Sequence, residues 1–394
     1  MAMRIIIHLD LDAFFCAVEE LQDLSLKGKP FAVGGRPDQR GVVASCSYPA
    51  RKFGVRSAMP MSQALRLCPN LLVIPGRHDL YSQVSSEVMA CISQRSPLVE
   101  QISIDEAFID ISDLPDTGEA IARSLQSEIN NRLNLPCSLG IAANKLVAKI
   151  ANDAGKSAGP RGIPPNAITV VPGGKEAEFL APLLVTALWG IGQKTAARLE
   201  PLGIKTIGDL AKLSEGELVS LFGKNGLEMS RHARGIDDRP VITSHTIKSI
   251  SQETTFARDV SNGDTLRQTL FQLAEGVGYR LRKSELAGST VKIKIRWPDF
   301  TTITRQLSLT QPTNQDREIY QAAFELFMKE WKPGKPVRLL GVGVGKLGLP
   351  ARQISFWESS NPKEARLQRA IDEVRDRYGW DALHRDGHAD RQDG

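Results

Sequence analysis

Apolar and polar residues fall into blocks along this chain, and the blocks predict a mixture of strands and helices. The run Ile5-Ile6-Ile7-His8-Leu9 reads as a buried strand and ends at Asp10-Leu11-Asp12. A second apolar run, Ile102 to Ile111, reads as another buried strand, with Asp105-Glu106 inside Ser103-Ile104-Asp105-Glu106-Ala107. Shorter strands are predicted at Phe31 to Gly34, Val42 to Ser45 and Ser138 to Ala142, and helices at Met61 to Leu67 and Gly118 to Leu133. The Gly- and Pro-rich stretch Gly155 to Pro165 closes this region. From Lys175 to about Asp238 short helices are punctuated by Gly-containing turns, and the polar segment Thr243 to Ser251 reads as a linker. Beyond it, strand-like runs at Thr290 to Trp297 and Thr301 to Leu309 alternate with helices at Asp264 to Arg282 and Asp316 to Trp331, the pattern of a small α/β sandwich. The tail from Ala351 is polar apart from Ile354-Ser355-Phe356-Trp357 and an amphipathic stretch, Lys363 to Arg377.

With 394 residues the chain exceeds one small core and suits two to four domains. No apolar run approaches the roughly 20 residues that span a bilayer, and the N-terminus lacks a signal pattern, so a cytoplasmic protein is expected. The five cysteines are scattered and form no CxxC pair, which disfavours a disulfide framework or a zinc site. They read as small buried apolar residues. Residues 243 to 353 hold 17 Lys and Arg against 10 Asp and Glu, whereas residues 1 to 242 are balanced. A basic domain joined to a neutral one points to a polyanion as partner.

The two acidic motifs carry the first chemical signal. An ionised carboxylate in an apolar strand costs several kcal/mol unless a cation offsets it, so two clusters brought together suggest a divalent-metal site. Oxygen-only ligands favour Mg²⁺ or Mn²⁺. A solvated strand end or a helix cap explains any one of these acids, but explains two such clusters less well.

Other motifs suggest a phosphorylated substrate. In Tyr48-Pro49-Ala50-Arg51-Lys52-Phe53-Gly54, Pro49 suits a first helical turn, and Tyr48 and Arg51 would share a face and could grip a phosphate. Gly140 to Ala151 passes from strand to helix, and Lys156 follows in a Gly-flanked turn, where it could reach a β- or γ-phosphate. Trp189-Gly190-Ile191-Gly192 before a helix is a helix-hairpin-helix pattern, whose backbone N–H groups can receive a nucleic-acid phosphate without reading sequence.

The stretches His8 to Phe15, Tyr48 to Gly54, Ser103 to Phe108 and Gly140 to Ala151, in this order and spacing, closely resemble the Y-family translesion DNA polymerases, and among them the bacterial DinB branch. The hairpin and the small α/β domain follow where that family has them, so the resemblance covers about residues 4 to 349. It implies an α+β multidomain, right-hand fold: a ferredoxin-like palm with small fingers in residues 1–170, a helical thumb in 171–240, a linker in 241–251, an α/β little finger in 252–349 and a tail in 350–394. It also implies low-fidelity, template-directed DNA synthesis past damaged bases, without a proofreading exonuclease, from primed template DNA and deoxynucleoside triphosphates.

By similarity, Asp10, Asp105 and Glu106 hold two Mg²⁺ ions, with the main-chain carbonyl of Leu11 completing one shell. Mn²⁺ is the alternative ion. Tyr48, Arg51 and Lys156 match the triphosphate contacts, Phe15 matches the ring that excludes a 2′-hydroxyl, and the backbone at Gly190 and Gly192 matches a DNA phosphate site. Asp12 matches no ligand, and its strand position suggests a structural hydrogen-bonding role. Gln353-Ile354-Ser355-Phe356-Trp357 resembles the bacterial sliding-clamp peptide, with Phe-Trp where Leu-Phe is usual. A monomer is expected. The competing readings are a family member inserting one nucleotide type, a partner-dependent UmuC-like subunit, a catalytically silent DNA- or clamp-binding module, and a nucleotide cyclase.

Overall fold

A computed structural model describes residues 4–159, 162–350 and 362–383, in two units that divide between His245 and Thr246. In chain order the first unit contains β1 (Ile6–Leu11), α1 (Phe14–Gln22), β2 (Phe31–Gly34), β3 (Val43–Cys46), α2 (Tyr48–Lys52), α3 (Met61–Leu67) and β4 (Leu72–Ile74). There follow α4 (His78–Ser93), β5 (Val99–Gln101), β6 (Glu106–Asp110), α5 (Gly118–Leu133), β7 (Cys137–Ala142), α6 (Lys145–Ala158) and β8 (Ile168–Val170). The short helices α7 (Glu176–Leu180), α8 (Gln193–Leu199), α9 (Ile207–Lys212), α10 (Glu215–Phe222) and α11 (Lys224–Ala233) complete it.

The main sheet has the order β5-β6-β1-β7-β8, with β1 central and antiparallel to both neighbours. Its period-two pattern gives β1 two faces. Ile7, Leu9 and Leu11 enter one core with Ile121, Leu125 and Ile129 of α5 and Tyr81 and Val88 of α4. Ile6 enters the other with Leu146, Val147 and Ile150 of α6 and the apolar residues of α7 to α11. His8 and Asp10 share the face of Ile6, so both point at α6. A separate small sheet, β3-β2-β4, packs with α2 and α3 around Val43, Val55, Met61 and Leu71.

Three expectations are corrected here. The run Ile102 to Ile111 is not one strand but a turn followed by β6, antiparallel to β5. Ser103 makes the turn, its Oγ accepting the N–H groups of Asp105 (3.2 Å) and Glu106 (3.0 Å). Lys156 lies in the last turn of α6, not in a Gly-flanked turn. Gly155 looked like a breaker, but it is a packing glycine: a Cβ there would come within 2.1 Å of Thr169 Oγ1 on β8. The polar segment Thr243 to Ser251 is not linker throughout, because the first strand of the second unit already begins at Ser249.

The second unit contains β9 (Ser249–Val260), α12 (Gly263–Lys283), β10 (Ala287–Arg296), β11 (Thr302–Thr313), α13 (Asp316–Glu330), β12 (Val337–Gly348) and α14 (Pro362–Tyr378). Its sheet, β11-β10-β12-β9, is antiparallel throughout, with α12 and α13 covering one face. Val291, Ile293 and Ile295 point to the helices, so Lys292 and Lys294 point to the opposite face, where Gly343 and Gly341 of β12 are their partners. The amphipathic tail stretch is α14, which packs on α12 through a buried Arg375–Glu275 pair (3.1 Å) and an Arg282–Asp372 pair (2.6 Å). The sequence-predicted clamp residues Gln353, Ile354, Phe356 and Trp357 lie outside the described residues. All five cysteines are buried and unbridged, and no helix among the described residues is long and apolar enough to cross a membrane.

Candidate active site

The site is built where β1 meets α6. Asn144 caps α6, accepting the N–H of Val147 at 3.0 Å. Along the helix, Lys149, Asn152 and Lys156 follow at i, i+3 and i+7 and form one stripe. The helix can lie close to the strand because β7 carries Gly140: a Cβ there would meet Ala148 O at 2.0 Å and Asn152 N at 2.5 Å.

Asp10 on β1 and Glu106 on β6 are direct cross-strand partners, and the N–H of Leu11 donates to the carbonyl of Asp105 at 3.0 Å. Three carboxyl groups therefore converge at one end of the sheet. Opposite cations meet them. Lys156 pairs with Asp10 and lies 3.2 Å from Asp12, while Lys149 donates to Glu106 Oε2 at 2.7 Å. Burial pushes Asp10 up to about 7 despite Lys156, with Glu106 and Asp105 adding repulsion. Burial also opposes ionisation of Glu106, but hydrogen bonds from His8 and Lys149 outweigh it and hold that carboxyl at about 2. These carboxyls offer the oxygen donors that a hard divalent cation prefers, but among the described residues no three acids are gathered into a ready-made metal cluster, and Lys156 and Lys149 occupy Asp10 and Glu106. Asp12 is buried and serves structure, accepting Ser138 Oγ at 2.9 Å and the N–H of Asn166 at 2.9 Å.

Asp10, Leu11, Phe15, Arg51, Asp105 and Lys156 line one cleft of about 280 Å³. A larger cavity, about 530 Å³ beside Trp189 and Arg198, lacks the acid cluster. Phe15 reaches the cleft because Ala13 adopts a left-handed conformation (φ 50°), which turns the chain sharply from β1 into α1. Its ring stacks on Tyr81 (centroids 4.3 Å apart, planes 14° apart), while Phe14 is core. Tyr81 is itself anchored, its hydroxyl donating to buried Glu19 at 2.5 Å. Tyr48 and Arg51 do share a face of α2, with the guanidinium 4.4 Å from the centre of the phenol ring. Burial first, then Asp12, pushes the Tyr48 phenol up, so it stays a hydrogen-bond donor.

Gly190 and Gly192 form the turn before α8, far along the chain from the acids. Gly190 has φ +99°, and a Cβ on either glycine would meet nothing within 4 Å, so their backbone faces open space. Neighbouring Trp189 packs its ring 6.0 Å from that of Phe108 and lies under Arg239.

Sequence reasoning missed His8, Lys149, Asn152, Glu19 and Tyr81. The 149/152/156 spacing was the available signal, but only the fold shows which side of α6 faces the acids.

Comparison with known proteins agrees with this geometry. The impB/mucB/samB family matches residues 9–153, its C-terminal domain matches 247–356, and the thumb domain of DNA polymerase-iota matches 186–237. The chain is 41% identical over 386 residues to a DNA polymerase IV of Desulfatibacillum aliphaticivorans, covering 96% of this chain and 95% of that one. It is 40% identical to a DNA polymerase IV of Dehalococcoides mccartyi, covering 97% of each. Among solved structures, a chimeric Y-family DNA polymerase built on Dbh superposes with TM-score 0.77 at 25% identity, covering 88% of this chain and 99% of that one. The insertion ternary complex of Dbh DNA polymerase gives 0.62 at 26% identity, with the same coverage. The chain belongs to the Y family of DNA polymerases, with DNA polymerase IV proteins as its relatives, and it is a template-directed translesion DNA polymerase.

Proposed function

We propose that Asp10, Asp105 and Glu106, with the main-chain carbonyl of Leu11, form the nucleotidyl-transfer centre and hold two divalent ions, Mg²⁺ or Mn²⁺. The observation that carries this reading is the cross-strand pairing of Asp10 with Glu106, in a site where Asp105, Arg51, Lys156 and Phe15 share one cleft. Use of divalent metal belongs to the family. Ions bound there would stabilise the attacking 3′-oxygen of the primer and the leaving pyrophosphate. The protein supplies the rest. The ladder between β1 and β6 holds the carboxylates in register, and Tyr48, Arg51 and Lys156 take the triphosphate. Lys156, which neutralises Asp10 and Asp12, exchanges that partner for phosphate. The Phe15 ring leaves no room for a 2′-hydroxyl.

The macromolecular substrate is primed template DNA, with deoxynucleoside triphosphates as co-substrates. Gly190 and Gly192 expose backbone to a DNA phosphate, and the open sheet face with Lys292 and Lys294 beside glycines lets a duplex backbone approach closely. By the same reading residues 1–170 are palm and fingers, 171–240 thumb, 252–349 little finger, and Gln353, Ile354, Phe356 and Trp357 bind a sliding clamp. The protein acts in the cytoplasm as a monomer. A partner-dependent subunit, a silent module and a cyclase are less favoured, because DNA polymerase IV relatives align along nearly the whole chain.

Primer extension with Mg²⁺ and all four deoxynucleotides tests the site. Wild type should extend a labelled primer, and Asp105→Ala/Glu106→Ala should be slower by at least about a thousandfold, the equivalent of several kcal/mol of transition-state stabilisation. Comparable extension by both proteins would remove the metal assignment.

A further inference from the structure

Glu106 is held by more than its place on β6. Lys149 Nζ donates to its Oε2 at 2.7 Å, and His8 Nε2 lies 3.4 Å from that same oxygen. Both contacts fall on Oε2, and Oε1 takes neither. The buried imidazole is oriented in turn by Asn152. The Asn152 Nδ2 is 3.0 Å from His8 Nδ1, 2.9 Å from the carbonyl of Ser138 and 3.3 Å from that of His8. Two carbonyl oxygens at this end require it to be the amide NH₂, so Nδ1 of His8 accepts; Nε2 then carries the proton and faces both Glu106 Oε2 at 3.4 Å and Lys149 Nζ at 3.5 Å, of which only the carboxylate can accept it. Burial lowers the pKa of the ring below the ordinary histidine value, which favours the neutral form.

We propose that Lys149 and His8, the latter set by Asn152, are positioning residues that engage one oxygen of Glu106 and present the other, Oε1, to the catalytic cation. This rests on Glu106 being a metal-holding acid. Outer partners of this kind orient a ligand, and their loss typically costs about 10- to 100-fold in metal affinity or activity. The two consequences separate here by charge. Removing an ammonium beside a carboxylate strengthens that site's attraction for another cation, while it frees the carboxylate to turn.

The test uses the full chain, with Mn²⁺ titrated against the free-ion magnetic resonance signal and single-turnover insertion of a deoxynucleotide on primed DNA. Lys149→Met should bind Mn²⁺ at least as tightly as wild type, yet insert about 10- to 100-fold more slowly, with the half-saturating nucleotide concentration shifted less than about threefold. Lys149→Arg should restore most of the rate. His8→Leu should slow insertion, and His8→Gln, which keeps an N–H near the Nε2 position, should recover it. Wild-type insertion by Lys149→Met would overturn the inference. So would a loss that Lys149→Arg does not restore, or one accompanied by a lowered unfolding temperature, the mark of plain structural support. Glu106→Gln distinguishes the two levels. If that variant binds Mn²⁺ and inserts like wild type, the metal reading itself has failed; if it loses both while Lys149→Met is silent, only the positioning inference has.

Discussion

Single residues decide the chemistry of the cleft, and Phe15 illustrates how many neighbours one side chain needs. Ala13 in its left-handed conformation aims α1, Tyr81 backs the ring, and buried Glu19 fixes Tyr81 with the help of Arg77, whose Nε donates at 3.0 Å. A ring stacked on this support cannot swing aside cheaply. Phe15→Ala should therefore raise ribonucleotide incorporation by at least about tenfold, the worth of one steric or packing contact, while deoxynucleotide use falls little. Competition between the two nucleotide types on one template measures it, and unchanged discrimination would dismiss the role. Asp10, Asp105 and Glu106 were legible in the sequence because carboxylates interrupt apolar runs there. His8 and Lys149 were not, since a histidine in a strand and a lysine in a helix look ordinary until their partners are known.

At the scale of elements, the strand-to-helix unit of β7 and α6 organises the site, and the chain after α11 is tied back onto it. Asp237 accepts the N–H of Leu146 in the first turn of α6 at 3.1 Å and the Arg239 Nε at 2.7 Å, while Asn144 donates to the carbonyl of Gly235 at 2.8 Å. Beside them a buried Lys145–Glu100 pair (2.8 Å) also receives the N–H of Ile242. Burial works against ionisation of Asp237, but Arg239 and the backbone donors hold its pKa below the usual carboxylate value. A depressed folded-state pKa contributes stability that is present above the unfolded value near 3.8 and lost as pH falls through the folded one. Asp237→Asn should thus lower stability by about 1–2 kcal/mol at neutral pH, the scale of one charged hydrogen bond, and the gap should narrow below about pH 4. Urea unfolding of both proteins across pH tests this; a gap independent of pH would assign the loss to packing instead. Helix and strand existence was largely readable from periodicity, whereas Gly155 misled, because a packing glycine and a turn glycine are the same letter.

At the scale of the whole molecule, the charge distribution sets the second unit apart from the first. The basic segment 243–353 builds a sheet that, on the face away from its helices, sets Lys292 and Lys294 of β10 beside Gly343 and Gly341 of β12. The tail matters in a way its composition hides. Because α14 packs on α12 through the buried Arg375–Glu275 pair, truncating the chain at 353 would strip a packed helix together with the proposed clamp peptide, and breaking a buried pair is costly. Point substitution is the cleaner test. Phe356→Ala/Trp357→Ala should reduce clamp-stimulated synthesis to the unstimulated level, and persistent stimulation would remove the clamp assignment.

The amino-acid sequence by itself determined most of the strands and helices, where the acids of the proposed metal site lie, which family the chain resembles and where its positive charge resides. These are properties of local order: periodicity, motif spacing and composition survive without knowing what touches what. Tertiary structure alone decided that Asp10 faces Glu106, that α6 supplies cations to Asp10, Asp12 and Glu106 at once, and that His8 and Lys149 meet on a single carboxylate oxygen. The reason is physical. Those relations join residues from 43 to 146 positions apart, and their geometry depends on a glycine that lets one helix lie against one strand.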